Sequence, residues 1–157
     1  MAEPLSEQVL QWIVDGLGAI RKADGYHTDI GLGTVTTEPT QAPSSNDEAY
    51  TLVFDTAITR NSERSGGRTL ATDMDVTIEF VVPRGLVTPT KLARRGRDDI
   101  TRVLHRELRE APAGLRSLVL NGTAKLVLDD ERRSKFVIAQ VTARAGLSET
   151  FSPATNP

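Results

Sequence analysis

From Ser6 to Lys22, apolar residues recur at Val9, Trp12, Ile13, Leu17 and Ile20, the spacing of one helical face. Ser6 stands where an N-cap hydroxyl is expected, with Leu5 and Leu10 at staple positions and Glu7 favoured by the helix dipole. Arg21 and Lys22 suit a last turn, and Gly25 a left-handed stop. The pattern then changes period. Tyr26 to Val35 reads as a strand interrupted by Gly31 and Gly33, and residues 36–48 as a loop rich in Thr, Pro and Ser. Tyr50 to Arg60 alternates as a second strand, residues 61–68 form a polar turn, and Thr69 to Val82 alternates throughout. Leu70, Thr72, Met74, Val76, Ile78, Phe80 and Val82 share one face of that strand, and the polar set with Asp73, Asp75 and Glu79 shares the other. The polar turn makes Tyr50–Val82 a long hairpin, half buried in an antiparallel sheet.

A break at Pro83–Val87 leads to Thr88-Pro89, an N-cap followed by a first-turn proline. The helix it opens runs to about Ala111, with Leu92, Gly96, Ile100, Val103, Leu104 and Leu108 inward. Two more strands follow, Leu115–Leu128 (broken at Asn121-Gly122) and Lys135–Leu147, joined by a charged turn at 129–134. The chain predicts one α+β domain over residues 1–151, in the order α-β-β-β-α-β-β. An antiparallel or mixed sheet of about five strands carries both helices on one face, and 152–157 is a flexible tail.

Composition narrows the function more by exclusion than by assignment. In 157 residues, 19 Lys and Arg stand against 21 Asp and Glu, a net charge of −2, so bulk charge does not drive nucleic-acid binding. There is no cysteine, which removes disulfides, thiolate nucleophiles and Cys-ligated zinc and fits a reducing compartment. The start is acidic with no apolar signal core, and no apolar run approaches a membrane span. His27 and His105 are the only histidines. His27 reads as a packed or edge residue, and His105 lies on a charged flank. Phosphate-loop and nucleophile-elbow motifs are absent, and Gly31-Leu32-Gly33 is only a fragment of a dinucleotide loop. No catalytic, cofactor or metal-binding residues are assigned, and no enzyme is expected.

Charge nevertheless concentrates locally. Between Lys91 and Arg109 seven cations face three acids, a net of +4 that leaves −6 elsewhere. Lys91, Arg95, Arg102, Arg106 and Arg109 follow one helical face, either a solvated face or a surface for an anionic partner. Asp73, Asp75 and Glu79 are either a solvated outer face or an acidic row toward a subunit, a lumen or a hard cation such as Mg²⁺. The hairpin loop with Arg60, Arg64 and Arg68 is either a flexible tip or an arm toward a neighbour.

The stretch Trp12-Ile13…Leu17…Ile20…Ala23-Asp24-Gly25-Tyr26-His27-Thr28-Asp29-Ile30-Gly31 resembles the opening of phage tail terminator (tail completion) proteins. There an amphipathic helix runs into a Gly-Tyr-x-Thr-Asp-hydrophobic-Gly strand start. The resemblance is specific over the first thirty residues or so and architectural beyond. It implies a structural virion protein at the head-proximal end of the tail, assembled in host cytoplasm. Such a protein forms a homo-oligomeric, typically hexameric ring that caps the tail tube protein, stops its polymerisation and meets a head-completion or connector protein. DNA passes through the lumen without specific binding, and no membrane is involved. A closed head-to-tail ring needs two different complementary patches per subunit. Arg60, Arg64, Arg68, Asp73, Asp75, Glu79, Arg95, Arg102 and Arg106 are the candidate interface residues. The alternative is a small nucleic-acid-binding or regulatory module that uses the Arg-rich helix.

Overall fold

A computed structural model describes residues 3–43, 47–121, 124–127 and 135–151. Its mixed sheet holds β1 (Thr34–Thr36), β2 (Tyr50–Arg60), β3 (Thr69–Pro83), β4 (Leu115–Leu120), β5 (Lys125–Val127) and β6 (Phe136–Thr150). The spatial order is β1-β2-β3-β6-β4, with β5 also on β6. All pairings are antiparallel except β1 on β2. The α+β expectation holds, with the hairpin bounds Tyr50–Arg60 reproduced and the interruption near Asn121 separating β4 from β5.

Helices α1 (Leu5–Leu17) and α2 (Pro89–Arg102) cover one sheet face. Val9, Ile13 and Leu17 of α1 meet Val53, Met74, Ile78 and Phe80 from the sheet and Ile100 from α2 in one aliphatic core. Gly96 is required on α2 because a Cβ there would collide with the Phe80 ring. α1 packs on β2, β1 and β6, and α2 on β6, β3 and β5.

Several local expectations are corrected. α1 ends at Leu17 rather than Lys22, and it begins after Pro4 with no side-chain cap from Ser6. Gly16 and Gly18 lower the helix propensity of its last turn, and Gly16 leaves room for Leu108. Gly25 does adopt φ 90°, but it closes a 3₁₀ turn at Lys22–Asp24 instead of stopping the helix. Residues 26–33 are bends and a second 3₁₀ turn, not a strand, and pairing begins only at Thr34. Side-chain bonds from Thr28 and Asp29, described below, compete there with a ladder. Thr88 does not cap α2 through its hydroxyl; its backbone is left-handed, φ 49°, and its carbonyl accepts from Leu92 N–H.

Past Arg102, α2 widens into a π-helical turn at Val103–Glu107, and Leu108 is already extended. The second helix therefore falls short of Ala111. β3 is also not half buried along its length: Thr77, Glu79 and Val81, on the face away from the helices, are buried too. Near its end the Tyr50 and Phe136 rings, from the strands on either side, meet edge to face at 6.5 Å. The turn at 129–134 and the tail at 152–157 lie outside the described residues.

Candidate assembly surfaces

The Gly-Tyr-His-Thr-Asp-Ile-Gly stretch forms a knot between the two helices. Asp99 of α2 is 1% exposed, and its carboxylate accepts from the backbone N–H of His27 and of Thr28 and from the Thr28 hydroxyl, the last at 2.6 Å. Asp29 Oδ1 accepts from Lys22 N–H at 2.8 Å. Gly31 N–H donates to Ile20 O at 2.8 Å, and a Cβ on Gly31 would collide with the Gly18 carbonyl. The Arg102 guanidinium lies 4.3 Å from the Tyr26 ring centroid and also reaches Gly25 O and Glu107. Burial first, then the Glu107 carboxylate, push the Tyr26 phenol above its ordinary pKa against the opposite pull of Arg102. The knot is structural chemistry: its hydrogen bonds and ring contact run to other parts of the same chain. The His27 side chain itself is exposed.

The acidic row divides into internal pairs. Asp73 takes Arg64 at 2.9 Å and Asn61 at 3.3 Å. Asp75 takes Arg144 at 2.9 Å, a bond that raises the arginine's pKa. Glu79 is buried and accepts from Gln140. The three share the sheet face away from the helices, but each has its own partner.

The hairpin tip is likewise closed on itself. Asn61 Oδ1 accepts from Arg64 N–H, and Ser65 Oγ bonds Asn61 O and Ala71 N–H. Arg64 folds back over Gly146 rather than outward. Arg60 and Arg68 are exposed, and neither forms an ion pair among the described residues.

On α2 and its π turn, Arg102 is committed to Tyr26, Gly25 and Glu107, and Arg97 pairs with Asp98 at 3.6 Å. Arg95 and Arg106 are exposed with no ion pair among the described residues, as are Lys91, Arg94 and Arg109.

Across the molecule, beside β2, Glu3, Glu7, Glu38 and Asp55 line a cleft of 340 Å³ with Leu10, Gln11 and Thr37. None of these four carboxylates meets a cation among the described residues. Sequence reasoning missed this cluster because its members come from four separate stretches. The only signal was the −6 left after α2 was counted. Among the described residues, no His, Asp and Glu cluster has the grouping of a metal site, and no helix is long and apolar enough to cross a membrane. No protein-family model matches the chain, and no curated protein matches it.

Proposed function

We propose that the chain is a structural ring subunit of the phage tail terminator kind, joined head to tail with copies of itself and without catalytic chemistry. One observation carries this reading: opposite charges left without partners gather at separate places on the same small domain. The acidic cleft lies beside β2, while α2, which carries the unpaired cations, packs on β6, β3 and β5. An isolated monomer has no use for that division, because surface charge of mixed sign alone keeps it soluble. A heterologous interface that closes into a ring needs it. The resemblance of the Gly25–Gly31 stretch supplies the kind of ring: one that ends a tail tube, meets a head-side connector and lets DNA through without gripping it.

Negative-stain images of the purified protein test the reading. Rings with a hole of duplex width are expected. Monomers alone, both in isolation and beside polymerised tube protein, would overturn it. A second reading rests on the same cations, with Lys91, Arg94, Arg95 and Arg106 contacting phosphates. That reading requires log Kd for DNA to rise with log salt at a slope of roughly +3 to +4, from four neutralised phosphates. A flat titration removes it.

A further inference from the structure

The sheet ends on both sides in open strand edges. On one side, β1 covers β2 only from Tyr50 to Leu52. Asp55 to Arg60 are exposed at every position, and no strand lies outside them among the described residues. Ile58, half exposed at 50%, stands on this uncovered stretch. On the other side, β4 pairs with β6 alone, and its Val119 is 60% exposed. Long unpaired edges bearing apolar side chains are templates for strand addition, and monomeric proteins shield them. No proline interrupts either open stretch, and the register irregularity of each lies at its start, between Asp55 and Ala57 on β2 and between Leu115 and Ser117 on β4, which leaves Ala57–Arg60 and Ser117–Leu120 in regular ladders.

We infer that the outer edge of β2, at Thr56–Arg60, pairs with the outer edge of β4 of a second copy, so that one sheet runs on from subunit to subunit. Three observations fix the occupant as another copy of this chain. The first is direction: β2, β3, β6 and β4 alternate, so the two outer strands run oppositely. A neighbour added in the same orientation therefore presents β4 antiparallel to β2, the stronger ladder. The second is length, because the exposed stretch Asp55–Arg60 and β4 match at six residues each.

Charge is the third. The β2 flank carries Glu3, Glu7, Glu38 and Asp55 against Arg60, a net acidic set, whereas the β4–β5 flank carries exposed Arg116 and Lys125. Joining β2 to β4 brings these flanks together, and joining β2 to β2 across a two-fold axis opposes acid to acid. The Ile58 side chain lies on the helix-covered face, as do Leu118 and Leu120, so the join also extends the apolar face across the boundary. This inference deepens the ring reading and rests on it for why the sheet should close. Its own content is narrower: which strands touch.

The absence of native cysteine makes the test direct. Thr59 and Val119 are exposed and point to the same sheet face, away from the helices. A mass-tagged Thr59→Cys protein mixed with untagged Val119→Cys protein is oxidised and resolved on a non-reducing gel, beside an Arg94→Cys control. The expected result is a heterodimer several-fold in excess of either homodimer and of the control. The double variant is expected to give a ladder that stops at one closed size. A Thr59→Cys homodimer as abundant as the heterodimer would replace the join by a two-fold β2–β2 pairing. Cross-linking no better than the control would overturn the inference even if rings are seen in images. A heterodimer with a ladder that never stops would leave the join standing and remove the closed ring.

Discussion

Strand β2 belongs to two different environments. At its start, Thr51 and Val53 are buried beneath the helices, both paired to β3 and Thr51 also flanked by β1. From Asp55 onward every residue is exposed, although the ladder to β3 continues to Arg60. The first half has a helix above it and a strand on each side. The second half has one neighbour and no roof. The division teaches where the fold covers itself. The helix-covered end is buried, leaving the Thr51 hydroxyl without a partner among the described residues and a pocket of 190 Å³ beside Thr51 and Phe80. The distal end leaves backbone, an isoleucine and a carboxylate to something else. A bulge between Asp55 and Ala57 marks the boundary, the position at which such irregularities redirect an edge.

If that comparison is right, substitutions under the helices must be expensive and those beyond the bulge cheap. The largest effect is expected at Phe80, which fills the space left by Gly96. Phe80→Ala should lower stability by about 3–5 kcal/mol, the range for emptying an aromatic site, measured by urea unfolding. A loss below about 1 kcal/mol would mean the helices are loosely seated and the contrast is false. Asp99→Ala comes next. It strips the acceptor from two backbone N–H groups and a hydroxyl, and unsatisfied buried donors cost about 1–3 kcal/mol. Asp99→Asn, which keeps one carbonyl oxygen, should recover part of that loss on the same titration.

These two residues also show what the sequence concealed. Strand alternation in Tyr50–Arg60 and Thr69–Val82 was legible because a period of two needs only the chain itself, and the ladder runs one residue further, to Pro83. The facing Val9, Ile13, Leu17 and Ile100 were legible for the same reason. Asp99 was counted as one acid among many, yet it is a buried clasp to His27, 72 residues away. That distant bond is why Tyr26–Val35 bends where a strand was expected. The early end of α1 has a similar origin, since Gly16 answers to Leu108 far along the chain. The same limit hid the acidic cleft. Hydrophobic period reports which face is inside, and it carries no information on which surface charges from different segments become neighbours.

The hairpin tip sharpens the boundary from the other side. Arg64 and Asp73 are bonded at 2.9 Å, with side chains 40% and 30% exposed, and solvent-screened pairs of this kind contribute about 0–1 kcal/mol. Arg64→Ala should therefore change the unfolding midpoint only slightly. Addition of salt should shrink even that difference. A loss well above 1 kcal/mol would show that the tip is a structural clamp and extend the self-sufficient region across the whole hairpin.

The smallest expected effect on folding falls at Ile58. Its side chain is half exposed in the isolated chain, so replacing it removes little buried area, and surface changes away from special features stay within about 0.5 kcal/mol. Ile58→Lys should accordingly unfold at the wild-type denaturant midpoint when the protein is dilute. Assembly should respond in the opposite way. The lysine keeps the fold but places a charge on an open strand edge, a device by which natural sheets discourage edge pairing, and it must be desolvated if another strand is to lie alongside. Light scattering at high concentration should then show the oligomer lost while circular dichroism is unchanged. The pairing of these two readouts matters more than either alone. A variant that both unfolds early and fails to assemble would place the distal half of β2 within the core after all, whereas one that folds and assembles normally would leave its bare edge without a purpose in assembly.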